Sequence, residues 1–258
     1  MCDSCGCSGD AGEHHHHHGG EDPLYHVHDD GTAHSHPPAD AGGQRTVEVR
    51  RSVLAGNDAR AAETRKLLDE RGIVAVNLIS SPGAGKTTLL EKTLEALAGE
   101  VGCAVVTGDQ RTDNDARRLA GKGAEVAQIE TGDACHLNAA QVADALDGVL
   151  RDDTKLLFIE NVGNLVCPVA FDLGEHFKIA LLSVTEGEDK PSKYPSLFTA
   201  ASVVALTKTD LLPHLDFDLA ACRKAVRGMR PGAFVFELSA RTGDGMDAWL
   251  GYMKSLVV

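Results

Sequence analysis

The chain has 258 residues, a formal charge of −13 and an isoelectric point near 5.3. That acidity argues against nucleic acid as a partner, because phosphate binding needs a basic face, and no apolar run reaches the length of a membrane span. Setting aside a polar tail leaves roughly 210 residues, enough for one α/β domain with a sizeable core.

Residues 1–44 are rich in Gly, Asp, His and Pro and poor in large apolar groups, the composition of a disordered tail, and 45–258 form the globular remainder. The tail carries Cys2, Cys5 and Cys7, and nine of the twelve histidines, at His14 to His18, His26, His28, His34 and His36. Clustered thiols and imidazoles on a floppy chain can wrap a metal ion, since metal bonds offset the ordering entropy. The histidine run starts inside the chain and is followed by four more at irregular spacing, unlike a purification tag. No apolar h-region marks a secretory signal, and cysteines in metal-like groupings suit a reducing, cytoplasmic compartment better than a disulfide frame.

The globular part alternates helices and strands. Asn57 to Arg71 reads as a helix capped by Asn57 or Asp58 and stopped at Gly72. Val74 to Ile79 is a short apolar run suited to a buried parallel strand, and Thr87 to Ala98 has the leucine spacing of an amphipathic helix. Further strands are expected at Cys103 to Thr107, Glu125 to Ile129, Leu156 to Glu160, Ile179 to Val184, Ser202 to Leu206 and Ala233 to Leu238. Arg117 to Leu119 reads as a short helix, Leu137 to Leu150 as an apolar-periodic one, and Gly245 to Leu256 as a closing one. The fold class is therefore α/β, a P-loop nucleotide-binding fold with a mostly parallel sheet flanked by helices on both faces.

Between the first strand and its helix lies Ser80-Ser81-Pro82-Gly83-Ala84-Gly85-Lys86-Thr87-Thr88. Gly83, Ala84 and Gly85 let backbone N–H groups close on phosphate oxygens, Lys86 reaches the β- and γ-phosphates, and Thr87 offers its hydroxyl to Mg²⁺. Ser80 stands where the motif expects its first glycine, so the chain must turn there without a free positive φ. Downstream, Glu160 ends a strand and is followed by Asn161-Val162-Gly163. Its carboxylate can act on the Mg²⁺ shell or the attacking water, and the Gly163 amide can sense a γ-phosphate. Asp109 is a candidate Mg²⁺ partner with a turn aspartate as the equal alternative. Thr207-Lys208-Thr209-Asp210 is a variant of the N-K-x-D guanine reader, with Asp210 able to accept from two guanine donors that adenine lacks. Ser239-Ala240-Arg241 offers a backbone amide to guanine O6. Together these point to GTP and GDP rather than to adenine nucleotides.

Cys135-His136, set before the predicted helix over 137–150, and Cys167, four residues after Gly163, form a second candidate site. A helix N-terminus near Cys135 would favour thiolate. Thiolate and imidazole suit Ni²⁺ or Zn²⁺, and three such ligands leave a four-coordinate ion one short, to be supplied by water or by a second copy of the chain. Cys103 and Cys222 read as buried small hydrophobes.

Taken together, Cys2-x-x-Cys5-Gly6-Cys7, the histidine-rich tail, Ser81 to Thr88, Gly108-Asp109-x-x-Thr112-x-x-Asp115-Ala116, Cys135-His136-Leu137, Glu160 to Pro168 and Thr185 to Pro191 resemble the HypB family of hydrogenase nickel-incorporation proteins, which are SIMIBI-class P-loop GTPases. The resemblance implies a GTPase that couples GTP binding and hydrolysis to nickel delivery to the [NiFe]-hydrogenase large subunit, with a HypA-type metallochaperone as partner and a homodimer favoured by GTP. It also implies a high-affinity nickel site at Cys2, Cys5 and Cys7, a second Ni²⁺/Zn²⁺ site at Cys135, His136 and Cys167, and a tail that stores nickel. Two alternatives stay open, a urease-type nickel accessory GTPase and a histidine-rich nickel store.

Overall fold

The computed structural model describes residues 25–27, 33–35, 40–110 and 113–257, with side chains from residue 54 on. The chain divides into two units, residues 1–55 and 56–258. In the first, strands β1 (Tyr25–Val27) and β2 (Ala33–Ser35) pair antiparallel, with His26 opposite His34. Cys2, Cys5, Cys7 and His14 to His18 lie outside the described residues.

Helix α1 spans Asp40–Glu70. It starts well before the cap expected at Asn57 or Asp58, and the Asn57 side chain is spent on tertiary bonds instead. Its Nδ2 donates to the Asp172 carbonyl at 2.7 Å and its Oδ1 accepts from the Ala139 N–H at 2.9 Å. A residue with the chemistry of a cap thus serves the first turn of a different helix.

The second unit continues as β3 (Val74–Ser80), α2 (Lys86–Leu97), β4 (Gly102–Asp109), α3 (Asn114–Leu119), β5 (Ala124–Glu130), α4 (Ala139–Val149), β6 (Thr154–Glu160), β7 (Phe177–Ser183), α5 (Lys190–Lys193), α6 (Pro195–Ala200), β8 (Ala201–Thr207), α7 (Leu219–Met229), β9 (Phe234–Glu237) and α8 (Met246–Ser255). Seven strands form one sheet in the order β5-β4-β6-β3-β7-β8-β9, every pairing parallel. The short helices α5 and α6 had no separate signal in the sequence.

Alternation along the strands assigns the two faces. Val76 and Leu78 of β3 join Val105, Phe158, Ile179 and Val203 in a core that also takes Leu89, Leu94 and the buried Trp249, so α2 and α8 cover this side. Ala75 and Ile79 point the other way, into clusters filled by Leu68, Val142 and Leu146 on one part and by Phe198, Cys222 and Val226 on another. Asn77, fully buried, has the same parity and is the polar interruption between those two clusters. The strand order reverses around β3, which lies between β6 and β7. In open α/β sheets the crevice beyond the carboxyl ends at such a point is where ligands bind.

Replacing Asn57 with Ala leaves the Ala139 N–H and the Asp172 carbonyl without their partner, so unfolding in urea should become easier by about 1–3 kcal/mol. An unchanged midpoint would show that water replaces both bonds.

Candidate functional site: a phosphate cradle beside a thiol–imidazole cluster

The β3 to α2 connection curls over the end of the sheet. Gly85 is the N-cap of α2 with φ 95°, a left-handed conformation that a Cβ would strain. Ser80 needs no such freedom. It closes β3 fully buried, its Oγ accepts from Lys86 Nζ at 2.9 Å and donates to the Ser81 carbonyl at 2.7 Å, so the missing glycine is replaced by a hydroxyl that holds the lysine.

A cavity of about 520 Å³ opens above this loop. Gly83, Gly85, Lys86, Thr87 and Thr88 form one wall, Asp109 and Glu160 come from the ends of β4 and β6, and Gly163 and Lys208 complete the rim. Ala84 lies in the same loop, itself buried, and its carbonyl accepts from Thr207 Oγ1 at 2.7 Å. Thr87 Oγ1 donates to Glu160 Oε1 at 2.7 Å, while Glu160 Oε2 is buried with no partner among the described residues. Burial lifts the Glu160 carboxyl from 4.5 to about 7, against the pull of Thr87 and Lys86. Burial likewise lowers Lys86, partly countered by Glu160, Asp115 and Glu186. An unpartnered carboxylate oxygen beside a threonine hydroxyl fits a hydrated Mg²⁺, and the lowered lysine fits a site completed by an anion.

A second cavity of about 200 Å³ adjoins the first and shares Gly85, Thr88 and Lys208 with it. Asp210, Ser239 and Ala240 line it, with Arg241 at the edge. Ser239 Oγ donates to Asp210 Oδ1 at 2.6 Å and accepts from the Arg241 and Thr242 N–H groups, which aims the carboxylate. Lys208 Nζ donates to the Gly83 carbonyl at 2.7 Å. Among the described residues Lys208 is the one non-glycine with positive φ, at 60°. Thr207, which replaces an asparagine of the usual reader, and Lys208 therefore both clamp the phosphate loop.

The metal ligands converge too. One ligand atom each from Cys135, His136 and Cys167 lies within 4.8 Å of the others. A tetrahedral ion with metal–sulfur bonds of about 2.3 Å needs ligand separations near ~3.8 Å, a small adjustment. Asn164 orients the Cys167 side, donating from Nδ2 to Sγ at 3.5 Å and accepting from the Cys167 N–H at 3.1 Å. His136 stacks on Phe171 with centroids 3.8 Å apart. Desolvation lowers its pKa, which keeps the imidazole in its neutral, ligating form. The expected thiolate at Cys135 is corrected. Helix α4 is capped by Asn138 through a capping box with Gln141, leaving Cys135 upstream, and burial together with the Cys167 thiol pushes its pKa up to about 11. Two neighbouring thiols, partly desolvated, make charging one of them unfavourable.

Several participants escaped the sequence reading as site residues. Asp115 and Arg118 of α3 line the phosphate cavity, with Arg118 held by the Thr88 hydroxyl at 2.9 Å and by Glu91 at 3.0 Å. Glu186 accepts from Ser81 Oγ of the phosphate loop. Asp115 and Glu186 stand inside the motifs that carried the family resemblance, the one signal that could have found them.

Comparison with known proteins agrees with this geometry. Residues 74–237 match the model of the CobW/HypB/UreG nucleotide-binding domain. The hydrogenase maturation factor HypB of Azotobacter chroococcum is 50% identical over 224 residues, covering 87% of this chain and 73% of that protein. Its counterpart in Escherichia coli K12 is 48% identical over 235 residues, 91% of this chain and 80% of that protein. Among solved structures, HypB from Helicobacter pylori in complex with nickel is 37% identical with a TM-score of 0.73, over 78% of this chain and 94% of that one. HypB from Archaeoglobus fulgidus is 36% identical with a TM-score of 0.74, over 80% of this chain and all of that one.

The raised Glu160 pKa has a stability consequence. A carboxyl lifted from 4.5 to about 7 contributes stability that is complete below its unfolded value and is lost as pH rises through the folded one. The nucleotide-free protein should therefore lose melting temperature between about pH 5 and about pH 8, and Glu160→Gln should flatten that part of the slope. Parallel pH profiles for the two proteins would contradict the assignment.

Proposed function

The chain belongs to the CobW/HypB/UreG family, with relatives in its HypB branch, and on that footing we propose that it is a GTPase that couples GTP binding and hydrolysis to nickel delivery during [NiFe]-hydrogenase maturation. The observation that carries the reading is the convergence of Cys135, His136 and Cys167, the last on a segment whose Asn161, Val162 and Gly163 line the phosphate cavity, with Gly163 four residues before Cys167. A solved HypB with nickel bound, similar over most of this chain, supports the choice of cargo.

In this reading Gly83 to Thr88 wrap the phosphates and Lys86 neutralises charge on the β- and γ-phosphates. The Thr87 hydroxyl, with Glu160 and Asp109 lining the same cavity, would hold Mg²⁺, which would supply further positive charge to the phosphates. Glu160 is the residue that orders the attacking water, its burial keeping the proton affinity close to neutral pH. Asp210, steered by Ser239, reads guanine, and the Ala240 amide meets the base from the opposite side. Cys135, His136 and Cys167 take Ni²⁺ or Zn²⁺ as cargo, a fourth ligand coming from water or from a second copy in a GTP-favoured homodimer. Cys2, Cys5 and Cys7 form a tail site, and the tail histidines store nickel. The partners are a HypA-type metallochaperone and, directly or through it, the hydrogenase large subunit, in the cytoplasm. No described helix is long and apolar enough to cross a membrane.

The coupling is tested in full-length protein carrying Cys2→Ala, Cys5→Ala and Cys7→Ala. Ni²⁺ affinity, measured by chelator competition, should differ about fivefold or more between GDP and a non-hydrolysable GTP analogue. Equal affinities would remove the coupling from the reading. In the same background Lys86→Ala should cut GTP turnover by about a hundredfold or more while Ni²⁺ still binds the thiol pair. Turnover at the parent rate would move the active site elsewhere.

A further inference from the structure

Asn161 follows the strand-end carboxylate Glu160 and is 1% exposed. Its backbone N–H continues the sheet, donating to the Leu78 carbonyl at 3.1 Å, so the residue is fixed to β3 before its side chain is considered. The side-chain oxygen Oδ1 then accepts twice. One donor is the Val162 N–H at 3.0 Å, in the segment that leads to Gly163. The other is the Leu137 N–H at 3.2 Å, the peptide directly after the ligand His136. One oxygen thus bridges the metal loop and the phosphate-facing segment.

The amide is held in that orientation from behind. Asn161 Nδ2 donates to Asn77 Oδ1 at 3.3 Å, and Asn77 Nδ2 donates to Glu175 Oε1 at 3.2 Å. Glu175, 5% exposed, is anchored by the Leu173 N–H at 2.6 Å and by Lys178 at 3.2 Å. Flipping the Asn161 amide would set two oxygens against each other at Asn77 and two N–H donors against the Leu137 and Val162 N–H groups, so one orientation wins.

The flanking packing is equally tight. A methyl at Gly163 would lie 3.0 Å from Pro82 of the phosphate loop, and one at Gly108, beside Asp109, would lie 2.7 Å from Cγ of the buried Leu137. Displacement of Pro82 or Gly163 is therefore passed to Val162, and displacement around Asp109 to Leu137, without slack on either side. The bond that joins the two displaced segments is the one made by Asn161.

We infer that Asn161 is the positioning residue that couples nucleotide state to metal affinity, its side-chain oxygen tying the peptide after His136 to the segment that faces the γ-phosphate. The inference rests on the GTP–nickel coupling proposed above and names the residue through which it acts. Asn161 borders the phosphate cavity, and in this role it acts through the Leu137 and Val162 N–H groups.

The test uses full-length protein with Cys2, Cys5 and Cys7 replaced by Ala, and reads Ni²⁺ through thiolate-to-metal charge-transfer absorption, to which the tail histidines are blind. Affinity is measured by chelator competition with GDP and with a non-hydrolysable GTP analogue, each saturating. The parent should show a ratio of about five or more between states, and Asn161→Ala should bring it to within about twofold of one. A purely structural role would weaken both states alike and leave the ratio unchanged. A parent-like ratio in Asn161→Ala overturns the inference while the coupling stands, whereas a parent ratio of one removes the coupling itself and this inference with it. Should Asn161→Ala fail to fold, Asn77→Ala serves instead. It unpins the Asn161 amide but leaves Glu175 Oε1 with Lys178, and a parent-like ratio there is equally fatal.

Discussion

The contact on which the site depends is the hydrogen bond from Thr87 to Glu160, at 2.7 Å, made beneath the phosphate loop by two buried side chains. It joins the first turn of α2 to the end of β6 and leaves the second oxygen of Glu160, a residue lining the cavity, without a partner among the described residues. With Lys86 also buried nearby, the cradle holds one group reluctant to ionise as a carboxylate and another reluctant to stay an ammonium. Both are suited to a cavity that takes a triphosphate and a divalent cation. Stability is given up locally so that the ligand completes the charge balance.

Holding that cradle in shape falls to residues from across the sheet. Thr207 and Lys208, at the end of β8, bond to the carbonyls of Ala84 and Gly83, and Glu186, beyond β7, takes the Ser81 hydroxyl. The loop is thereby tied to the second cavity, the proposed base-reading corner, as well as to Glu160. Because Lys208 adopts φ 60° to make its bond, the strain sits where phosphate and base cavities meet. The two cavities share Gly85, Thr88 and Lys208 as a common wall.

Most of the fold was legible because parallel strands buried on both faces read as short apolar runs, and because Gly85-Lys86-Thr87 can serve its purpose only between a strand and a helix. Failures arose where a residue's local chemistry was claimed by tertiary structure. Asn57 looks like a cap and instead bridges Asp172 to Ala139. Cys135 looks like a helix-start thiolate, but the capping box of Asn138 and Gln141 starts α4 later, and the thiol meets Cys167. Asn77 was read as part of an apolar run. A buried amide in the middle of a core strand needs partners, and the question of where they lie would have led to Asn161 and Glu175. The sites themselves were readable as residue types at fixed spacing. The distances between them were not, since Cys135 and Cys167 meet only through the β5–α4–β6 crossover that lies between them.

An incomplete thiol–imidazole cluster is what the proposed cargo handling requires. A closed set of four thiolates, as in structural zinc sites, holds its ion too firmly to release it and contributes to folding outright. Here two half-buried cysteines and one neutral histidine converge, with ligand atoms within 4.8 Å of one another. An ion entering must displace protons and draw the ligands together, and a small outward shift of the Cys167 loop is enough to undo that gathering. In the proposed cycle the shift comes from Gly163, packed against Pro82 with no room for a methyl group. A tighter metal site would be deaf to so small a movement, and a looser one would hold nothing between turnovers.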